Sequence, residues 1–562
     1  MKNRITLFLA LVLAGNLLSG QPRDEKVTIN VDLNKVIAPF NHAWAWFGYD
    51  EPNYTYMKDG KKLLGELAEL SPVPVYIRAH NLLTTGDGIA AMKWGSTNVY
   101  TEDANGNPVY DWTIVDKIFD TWLQQGVKPL VEMGFMPEAL SSKPQPYRHY
   151  WKPGDPYGDV YTGWRYPPND YNKWAELIYQ WVLHSVERYG REEVESWYYE
   201  LWNEPDISYW GGTFEEYCKL YDYSADAVKR ALPTARVGGP HVTSPGYSGP
   251  ARFLRNFLTH CESGVNFATG EIGSPLDFIG FHAKGAPRFI DGMVRMGIGS
   301  QLRSVDKGFE IVASFPKYKD LPIVIGECDP EGCAACGMNV NPENGYRNGT
   351  MYSSYTASSF ARIYEMAHFH GVNLLGIVSW SFEFEDQPWF HGFRDLSTNG
   401  VNKPVLNVFR MFGHMSGTMV DVQSDGDFTY RHMIDSGVRG DMTDIGAIAT
   451  KDDFGAAIMM WNYHDDDKIS ADAQIDVVIT GLTAKKVEVV QYRIDRDHSN
   501  SYELWKKMGS PQNPTEAQIT ELENAGQLHI SAEPTKMKVK KGTLTIKTTL
   551  QRQGVGLIKI GV

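Results

Sequence analysis

The stretch Trp197-Tyr-Tyr-Glu-Leu-Trp-Asn-Glu-Pro-Asp206 is an aromatic, strand-like run that ends in the polar triplet Asn203-Glu204-Pro205. A second stretch, Leu321-Pro-Ile-Val-Ile-Gly-Glu327, repeats this arrangement with a short apolar strand, a glycine and a glutamate. An acid placed just past a buried strand end is positioned for chemistry rather than for packing. Two carboxylates presented in this way are the minimum equipment for cleaving a glycosidic bond.

Apolar strand-like runs alternate with helix-period segments up to about residue 412, which predicts a parallel sheet wrapped by helices. Two of those helices are marked by Gly190 as a stop signal and by the capping-box pair Thr213 and Glu216. The predicted strands span Phe40–Phe47, Val73–Ala79, Pro129–Met133, Trp197–Trp202, Ala235–Gly238, Leu276–Phe281, Pro322–Ile325 and Leu374–Trp380. Eight such strands close a (β/α)8 barrel, in which active sites collect at the carboxyl ends of the strands. Glu204 follows strand four and Glu327 follows strand seven, so we expect them to face each other across the barrel mouth.

The pattern changes after about residue 413 to short alternating strands separated by Asp, Gly and Asn turns. This texture predicts an all-β module, most simply a sandwich. We therefore predict an α/β fold with a (β/α)8 TIM barrel at residues 37–412 and an additional C-terminal β-sandwich domain at residues 413–562. Residues 21–36 contain an early strand that we expect to join the sandwich before the chain enters the barrel.

The first 20 residues have the pattern of a secretory signal peptide: Met1-Lys-Asn-Arg4, an apolar run from Ile5 to Gly15, and the small pair Ser19-Gly20. That apolar run is too short for a lasting membrane span. We therefore expect a secreted or periplasmic protein with no membrane span in the mature chain. An uncleaved N-terminal anchor is the alternative.

Composition excludes one class of partner. The 562-residue chain carries a net charge of −14, whereas binding of nucleic-acid phosphates depends on a basic surface. We expect no nucleic-acid partner and a ligand that is neutral or recognised locally.

The surroundings of the two glutamates suggest different roles. Glu204 lies among Trp202, Asn203 and Pro205, an environment that can raise its pKa and keep a proton for a leaving oxygen. We therefore predict that it is the general acid/base. Glu327 must be ionised to attack the anomeric carbon, with donors such as Arg78 or His282 keeping it so, and we predict that it is the nucleophile.

These residues resemble glycoside hydrolase family 39, which contains β-xylosidases, α-L-iduronidases and some α-L-arabinofuranosidases. The two glutamate segments, Leu201-Trp-Asn-Glu-Pro-Asp206 and Ile325-Gly-Glu327, look like the acid/base and nucleophile segments of that family. Other segments similar to the family are Val75-Tyr-Ile-Arg-Ala-His80, Val131-Glu-Met-Gly-Phe-Met-Pro137, Pro167-Pro-Asn-Asp-Tyr-Asn-Lys-Trp174, Tyr492-Arg-Ile-Asp-Arg-Asp-His-Ser-Asn-Ser-Tyr502 and Gly509-Ser-Pro-Gln-Asn-Pro514. The resemblance therefore covers the barrel and much of the β module.

The resemblance implies a retaining exo-glycosidase that works by double displacement on oligosaccharides from plant or host polysaccharides, without a cofactor or a metal. It places five residues where such barrels contact the sugar in the −1 subsite: Arg78, His80, Asn203, His282 and Trp380. A β-D-xylosidase-like activity is our first expectation, and α-L-arabinofuranosidase or α-L-iduronidase-like activities are the alternatives. Members of this family are often multimeric, so the resemblance also leaves a homo-oligomer open.

The segment Phe281-His-Ala-Lys-Gly-Ala286 departs from the xylosidase-like pattern, in which an aromatic residue commonly stands where Lys284 does. It looks closer to the His-x-Lys-Gly-Ala pattern of iduronidases. Lys284 could pair with a uronate carboxylate or donate to a sugar hydroxyl.

Blander interpretations exist for the predicted substrate contacts. His80 and His282 could be structural histidines, Arg78 could only orient Glu327, and Trp380 could pack inside the barrel, because aromatic rings serve both uses. A different class of protein, a non-catalytic carbohydrate-binding protein on a decayed barrel, is also compatible with the fold. Decay would be expected to remove one carboxylate, and both are present.

Five cysteines are present, of which Cys328, Cys333 and Cys336 cluster just after Glu327. Their spacing superficially suggests a metal site, but zinc sites usually recruit four ligands, and no second Cys pair or partnered His motif is evident. A bridge between Cys333 and Cys336 that shapes the rim of the site is one alternative, and buried free thiols are another.

Overall fold

The computed structural model describes residues 26–561. The predicted signal peptide therefore lies outside the described residues. The strands are β1 Lys26–Pro39, β2 Trp46–Tyr49, β3 Val75–Ala79, β4 Tyr100–Glu102, β5 Pro108–Tyr110, β6 Val127–Met133, β7 Tyr198–Leu201, β8 Arg236–Val242, β9 Phe278–Lys284, β10 Arg288–Ile290, β11 Met293–Arg295, β12 Pro322–Asp329, β13 Asn373–Trp380, β14 Ser397–Thr398, β15 Val401–Asn402, β16 Thr418–Ser424, β17 Asp444–Lys451, β18 Gly455–Tyr463, β19 Ala473–Thr480, β20 Lys486–Ile494, β21 His529–Lys538, β22 Thr543–Leu550 and β23 Val555–Gly561. The α-helices are α1 Lys58–Leu70, α2 Thr113–Gln124, α3 Tyr171–Tyr189, α4 Arg191–Glu195, α5 Phe214–Ala231, α6 Ser248–Ser263, α7 Ile298–Ala313, α8 Thr350–His370, α9 Leu406–Gly413, α10 Tyr430–Ser436, α11 Ser501–Lys507 and α12 Glu516–Ala525.

Eight parallel strands close into a barrel in the order β12-β13-β2-β3-β6-β7-β8-β9, which confirms the predicted (β/α)8 fold. Strands β7 and β12 are separated by β8 and β9, so their carboxyl ends lie across the mouth from each other. Two helix predictions are also confirmed. Gly190 follows α3 with φ 87°, and Thr213 and Glu216 form a capping box at the start of α5.

Several strand boundaries differ from those predicted, and two of the differences are the start of the first barrel strand and the end of the seventh. The first barrel strand begins at Trp46 rather than at Phe40, because the chain before it turns, with the Ala45 amide donating to the His42 carbonyl. The seventh strand is longer than predicted and runs to Asp329, so Glu327 lies within its last residues rather than after it.

The barrel interior is filled in layers, because alternate residues of each strand point inward. The lowest layer is apolar and contains Trp46, Leu130, Tyr198, Phe278, Val324 and Val378. Tyr76 of β3 packs against this layer. The next inward positions on the same strand and just beyond its end are Arg78 and His80, each two residues further along the chain. The same step of two along β9 leads from Phe278 through Gly280 to His282. The sequence period therefore builds a charged layer directly on the apolar one.

The C-terminal module is a nine-stranded sheet in the order β21-β20-β23-β18-β17-β16-β1-β19-β22. The early strand β1 pairs with β16 and β19 of this sheet. One apolar cluster joins residues near both ends of the order, such as Val487 of β20 and Leu544 of β22. The sheet therefore folds over a shared core, as the predicted β-sandwich requires.

The module packs on the barrel through the other face of its sheet. Along β18, Ile458 and Met460 belong to the core of the module, whereas Met459 and Trp461 belong to the core of the barrel. The buried Asp444 carboxylate joins the two parts, because it accepts from Arg362 of α8 at 3.1 Å and from Trp461 Nε1 at 2.6 Å. Within residues 26–561, no helix is both long and apolar enough to cross a membrane.

Candidate active site

Glu204 is held at the barrel mouth by the turn that follows β7. Trp202 and Glu204 both have left-handed backbone conformations, with φ 65° and 45°. Such conformations in residues other than glycine persist only where the surrounding structure imposes them. Here the Glu204 amide donates to the His241 carbonyl at 3.0 Å, and Trp202 Nε1 donates to the Tyr209 carbonyl at 3.0 Å. The turn directs the Glu204 side chain into a cavity.

Glu327 reaches the same cavity from β12. The register between β12 and β9 shifts between Ile325 and Glu327, after which Glu327 lies opposite His282. Such irregularities re-aim a side chain and are common beside active sites. Gly280 of β9 leaves room for the His241 ring, because a side chain at position 280 would overlap that ring.

The two carboxyl groups are close together. One oxygen of Glu204, one oxygen of Glu327 and one ring nitrogen of His282 all lie within 4.8 Å of one another. Retaining glycosidases hold their two carboxyl groups about 5 to 5.5 Å apart, whereas inverting enzymes need about 6.5 to 9.5 Å to admit a water molecule. The spacing therefore fits the retaining geometry.

Burial and, after it, the nearby Glu327 carboxylate raise the pKa of Glu204 to about 8, against the opposing effect of Lys284. Glu204 Oε1 lies 3.0 Å from His282 Nδ1. Burial also holds the pKa of His282 well below its usual range, so this ring is neutral. Glu204 is therefore protonated at neutral pH and hydrogen-bonded to a neutral imidazole.

Glu327 has the opposite protonation state. Burial opposes its ionisation, but cationic neighbours led by Lys284 hold its pKa well below its usual range. Lys284 Nζ lies 2.6 Å from Oε2, while Arg78 Nη1 at 3.1 Å and His80 Nε2 at 3.2 Å contact Oε1. Against the effect of burial, the Glu132 carboxylate raises the pKa of His80 to about 9. One protonated and one ionised carboxyl group at this spacing are what retaining hydrolysis requires.

Arg78 lies beneath the cavity rather than in its wall. Its guanidinium is fully buried and contacts three carboxylates, Glu200 at 2.5 Å and Glu132 and Glu327 each at 3.1 Å. It also donates to Asn203 Oδ1 at 3.1 Å. Arg78 thus neutralises the buried layer and orients two residues of the cavity.

The predicted site residues divide into two groups. His80, Asn203, Glu204, Lys284 and Glu327 line the cavity. Arg78, His282 and Trp380 pack behind these residues and are fully buried. Trp380 donates to Asp50 Oδ1 at 3.1 Å, and its ring lies 4.5 Å from that of His80.

Sequence reasoning missed Asp50 and Lys93, which line the cavity as a buried ion pair 2.5 Å apart. The ammonium of Lys93 also lies over the Trp94 ring at 4.6 Å. Lys93 and Trp94 are consecutive left-handed residues with φ 49° and 132°. Nothing in the sequence marks this backbone conformation, so no pattern could have placed Lys93 in the site.

Glu132 and Glu200, which form ion pairs with Arg78, were also missed although the sequence held a signal for them. Each is a charged residue inside a buried strand, β6 and β7 respectively. Buried charges in proteins are almost always paired. The pairing partner was available in Arg78 on β3, which is next to β6 and two strands from β7.

The clustered cysteines do not form a metal site. Cys333 and Cys336 are joined in a disulfide, and Cys328 is a buried thiol that accepts from Gln301 Nε2 at 3.0 Å. Burial raises the pKa of the Cys328 thiol. Among residues 26–561, the one group with ligand spacing is Glu204, Glu327 and His282, where Lys284 and Arg78 already supply positive charge.

The cavity has a volume of about 690 Å³. Its deep end contains the two glutamates, His80, Asn203 and the Asp50 and Lys93 pair. Trp151, Tyr157 and Tyr161 and the disulfide segment also line this cavity. This size is typical of pockets that enclose a small-molecule ligand.

Comparison with known proteins agrees with this geometry. The model of the glycosyl hydrolases family 39 matches residues 27–542. A β-xylosidase of Geobacillus stearothermophilus is 27% identical over 504 residues, which cover 86% of each chain. A human α-L-iduronidase is 32% identical over 163 residues, which cover 28% of this chain and 23% of the human protein. The crystal structure of a monomeric β-xylosidase from Caulobacter crescentus CB15 has a TM-score of 0.73 at 22% identity, covering 95% of this chain and 99% of that one. The chain belongs to glycosyl hydrolases family 39 and is a retaining glycoside hydrolase.

Proposed function

We propose that the protein removes a neutral pentose from the end of an oligosaccharide, and that β-D-xylose is the first candidate for this sugar. The observation that carries the proposal is the pair Glu204 and Glu327 at the deep end of one cavity, with carboxyl oxygens within 4.8 Å. A site at the closed end of a pocket accepts a chain terminus rather than an internal unit. The proposed partner is thus the carbohydrate substrate.

The proposed reaction uses the two carboxyl groups in turn. The Glu327 carboxylate attacks the anomeric carbon while Glu204 gives its proton to the leaving oxygen, so that a glycosyl ester on Glu327 forms and the glycosidic bond breaks. Glu204, now ionised, takes a proton from water as that water attacks the same carbon. Cleavage of the ester releases the sugar and restores both groups to their starting states.

Two observations support a neutral sugar. The β-xylosidase relatives match 86% and 90% of the chain, whereas the mouse and human α-L-iduronidases match 58% and 28% of it. Both lysines that line the cavity are also engaged, since Lys93 pairs with Asp50 and Lys284 pairs with Glu327 and Asp329. A sugar without a charge needs only hydrogen-bond partners, which these pairs supply without being broken.

An α-L-iduronide is the second candidate, and Lys284 is the observation that favours it. Its ammonium lies in the cavity wall with 15% of the side chain exposed. A uronate carboxylate could contact that ammonium if the ammonium contacts the uronate and Asp329 at the same time. An α-L-arabinofuranoside stays an alternative because its hydroxyl pattern near the scissile bond resembles that of a β-D-xyloside.

A substrate panel tests the proposal. We expect 4-nitrophenyl β-D-xyloside to be hydrolysed faster than the α-L-arabinofuranoside and the α-L-iduronide. Glu327→Gln should abolish turnover of the best substrate, whereas Glu310→Gln on the exposed face of α7 should keep it. Preference for the iduronide would replace the first candidate with the second, and undiminished activity of Glu327→Gln would refute the site.

We also propose that the protein is exported. The pattern of residues 1–20 supports export, and so does the Cys333 to Cys336 disulfide, because such bonds persist in oxidising compartments. N-terminal sequencing of protein expressed from the full-length gene should find a start near residue 21. An intact Met1 on protein in the cytosolic fraction would contradict export.

A further inference from the structure

A second cavity lies outside the active site, where α7 begins at the rim of the barrel. It has a volume of about 500 Å³ and is lined by the hairpin β10–β11, the start of α7, and the end of α10 with the turn after it. It shares no lining residue with the catalytic cavity. Ala286 lines the second cavity and Lys284 lines the catalytic one, so the two cavities meet the same segment two residues apart.

Four arginines line this second cavity: Arg288 of β10, Arg295 of β11, Arg303 of α7 and Arg439 after α10. Two of them have carboxylate partners. Arg295 donates to both oxygens of Asp466, at 2.5 and 2.9 Å, and Arg439 lies 3.5 Å from Asp465. Within residues 26–561, Arg288 and Arg303 have no carboxylate within ion-pair distance, and Arg303 donates to the Ile434 carbonyl at 2.7 Å. Two guanidinium groups therefore lack a charged partner, in a chain with a net charge of −14.

The acidic residues of the second cavity do not cancel this charge. Asp435 and Asp465 line it, so four arginines against two aspartates leave an excess of two positive charges. The buried Asp465 carboxylate accepts from the Val438 amide at 3.0 Å and from the Tyr463 hydroxyl at 2.6 Å. It also accepts from the Ile298 amide at the start of α7. The end of that helix is thus already capped, and the positive charge open to a ligand comes from the arginine side chains.

The floor of the second cavity is fixed, and its lip carries an aromatic ring. A side chain at Gly299 of α7 would overlap the Met433 carbonyl of α10, so the two helices meet at backbone distance. At the lip, Tyr247 is 59% exposed. Its ring offers an apolar face beside a hydroxyl group. Arginine recognises a carboxylate through two parallel N–H···O bonds. An aromatic face beside unpaired guanidinium groups suits a sugar that carries a carboxylate.

We propose that the second cavity binds a uronic-acid unit, whose carboxylate pairs with Arg288 and Arg303 and whose ring packs against Tyr247. The cavity is larger than a bare inorganic anion needs, and its volume is in the range of pockets that enclose a small organic ligand. The inference goes beyond the proposed function and does not rest on it, because neither catalytic glutamate lines this cavity. The site retains an acidic polysaccharide on the enzyme beside the catalytic cavity.

A charged sugar and its neutral match test the site. In ligand-observed NMR titrations, methyl β-D-glucuronoside should bind the wild-type protein, and methyl β-D-glucoside, which lacks the carboxylate, should not. The double variant Arg288→Gln with Arg303→Gln should raise the Kd of the glucuronoside by about tenfold or more, the factor expected for loss of a hydrogen bond between charged groups. The matched control is Arg252→Gln, an exposed arginine of α6 outside this cavity, which should keep the wild-type Kd.

No binding of the glucuronoside to the wild-type protein, equal binding of the two sugars, or equal Kd values for the double variant and the control would overturn the proposal. Melting temperatures establish that each variant is folded. If the double variant does not fold, Arg288→Gln alone replaces it, because that exposed side chain has no charged partner to lose within residues 26–561.

Two further titrations locate the bound group and define its chemistry. Lys284→Met removes the ammonium of the catalytic cavity and should leave the Kd of the glucuronoside unchanged. A loss of binding that follows Lys284 rather than the arginines would place the carboxylate in the catalytic cavity and overturn the second site. Sodium sulfate should compete only weakly at matched ionic strength, and sulfate bound as tightly as the glucuronoside would overturn the assignment of a sugar ligand.

Discussion

Lys284→Met removes the cation that lies closest to the predicted nucleophile. Lys284 Nζ is 2.6 Å from Glu327 Oε2, and at an effective dielectric constant of about 20 their attraction is about 6 kcal/mol. Arg78 and His80 remain in contact with the other oxygen, and water can enter the vacated space. We therefore expect the pKa of Glu327 to rise by about 1 to 3 units, the range usual for loss of one opposite charge.

The same change acts on the second carboxyl group, because Lys284 also lowers the pKa of Glu204. The proposed mechanism needs Glu327 ionised and Glu204 protonated, so the wild-type pH profile of kcat/KM should fall on its alkaline side near pH 8, the pKa of Glu204. In Lys284→Met both limbs should move to higher pH, with the acid limb moving further. Steady-state kinetics up to pH 10 measure the alkaline limb, and the acid limb is followed down to the lowest pH at which the fold persists, because the pKa of Glu327 in the wild type lies well below its usual range.

A matched variant separates charge from shape. Lys284→Arg keeps the positive charge and should keep the acid limb close to its wild-type position, although a guanidinium fits this site less well. Asp329 retains Arg394 as a partner in either variant, so the fold should survive. An acid limb that stays in place in Lys284→Met would refute the assignment of Lys284 as the group that keeps Glu327 ionised.

Three further outcomes are expected. Arg78→Met should lower the free energy of unfolding by about 3 to 5 kcal/mol, because each of three carboxylates loses one buried cationic partner. The exposed Arg188→Met should cost less than about 1 kcal/mol, and equal costs in denaturant titrations would contradict this. Glu204→Gln should stabilise the fold increasingly as pH rises from 4.5 to 8, because over that window the unfolded state releases the proton that folded Glu204 keeps. A melting-temperature difference from wild type that does not grow with pH would contradict the raised pKa. Thiol titration of the unfolded mature chain should find three reactive cysteines without reductant and five with it, whereas five without reductant would exclude the disulfide.

The barrel and its two glutamates could be predicted because their signals are local. Each strand is a short apolar run, and a parallel barrel places every strand end at the same rim. Glu204 and Glu327 therefore needed only a count of strands to be placed opposite each other. The β module was predictable for a similar reason, since the alternation along β18 assigns one face to each of two cores.

The lining of the site depends on longer-range geometry that the sequence does not display. Tryptophan is a residue type that commonly stacks against sugars. Trp380, however, lies two residues after Val378 on β13 and packs inside the barrel, where its indole N–H donates to Asp50. Lys93 reaches the cavity only through a left-handed backbone in a long loop. Such residues are fixed by tertiary packing, which a strand or helix pattern does not encode.

Trapping the covalent intermediate tests the central claim most directly. The enzyme would be incubated with the 2-deoxy-2-fluoro glycosyl fluoride of the sugar it cleaves best, which slows breakdown of the glycosyl ester, and the labelled peptide would be identified by mass spectrometry. If Glu327 is the nucleophile, we expect a single label on Glu327 in the peptide that contains Ile325-Gly-Glu327. A label on Glu204 or on any other carboxylate would contradict it.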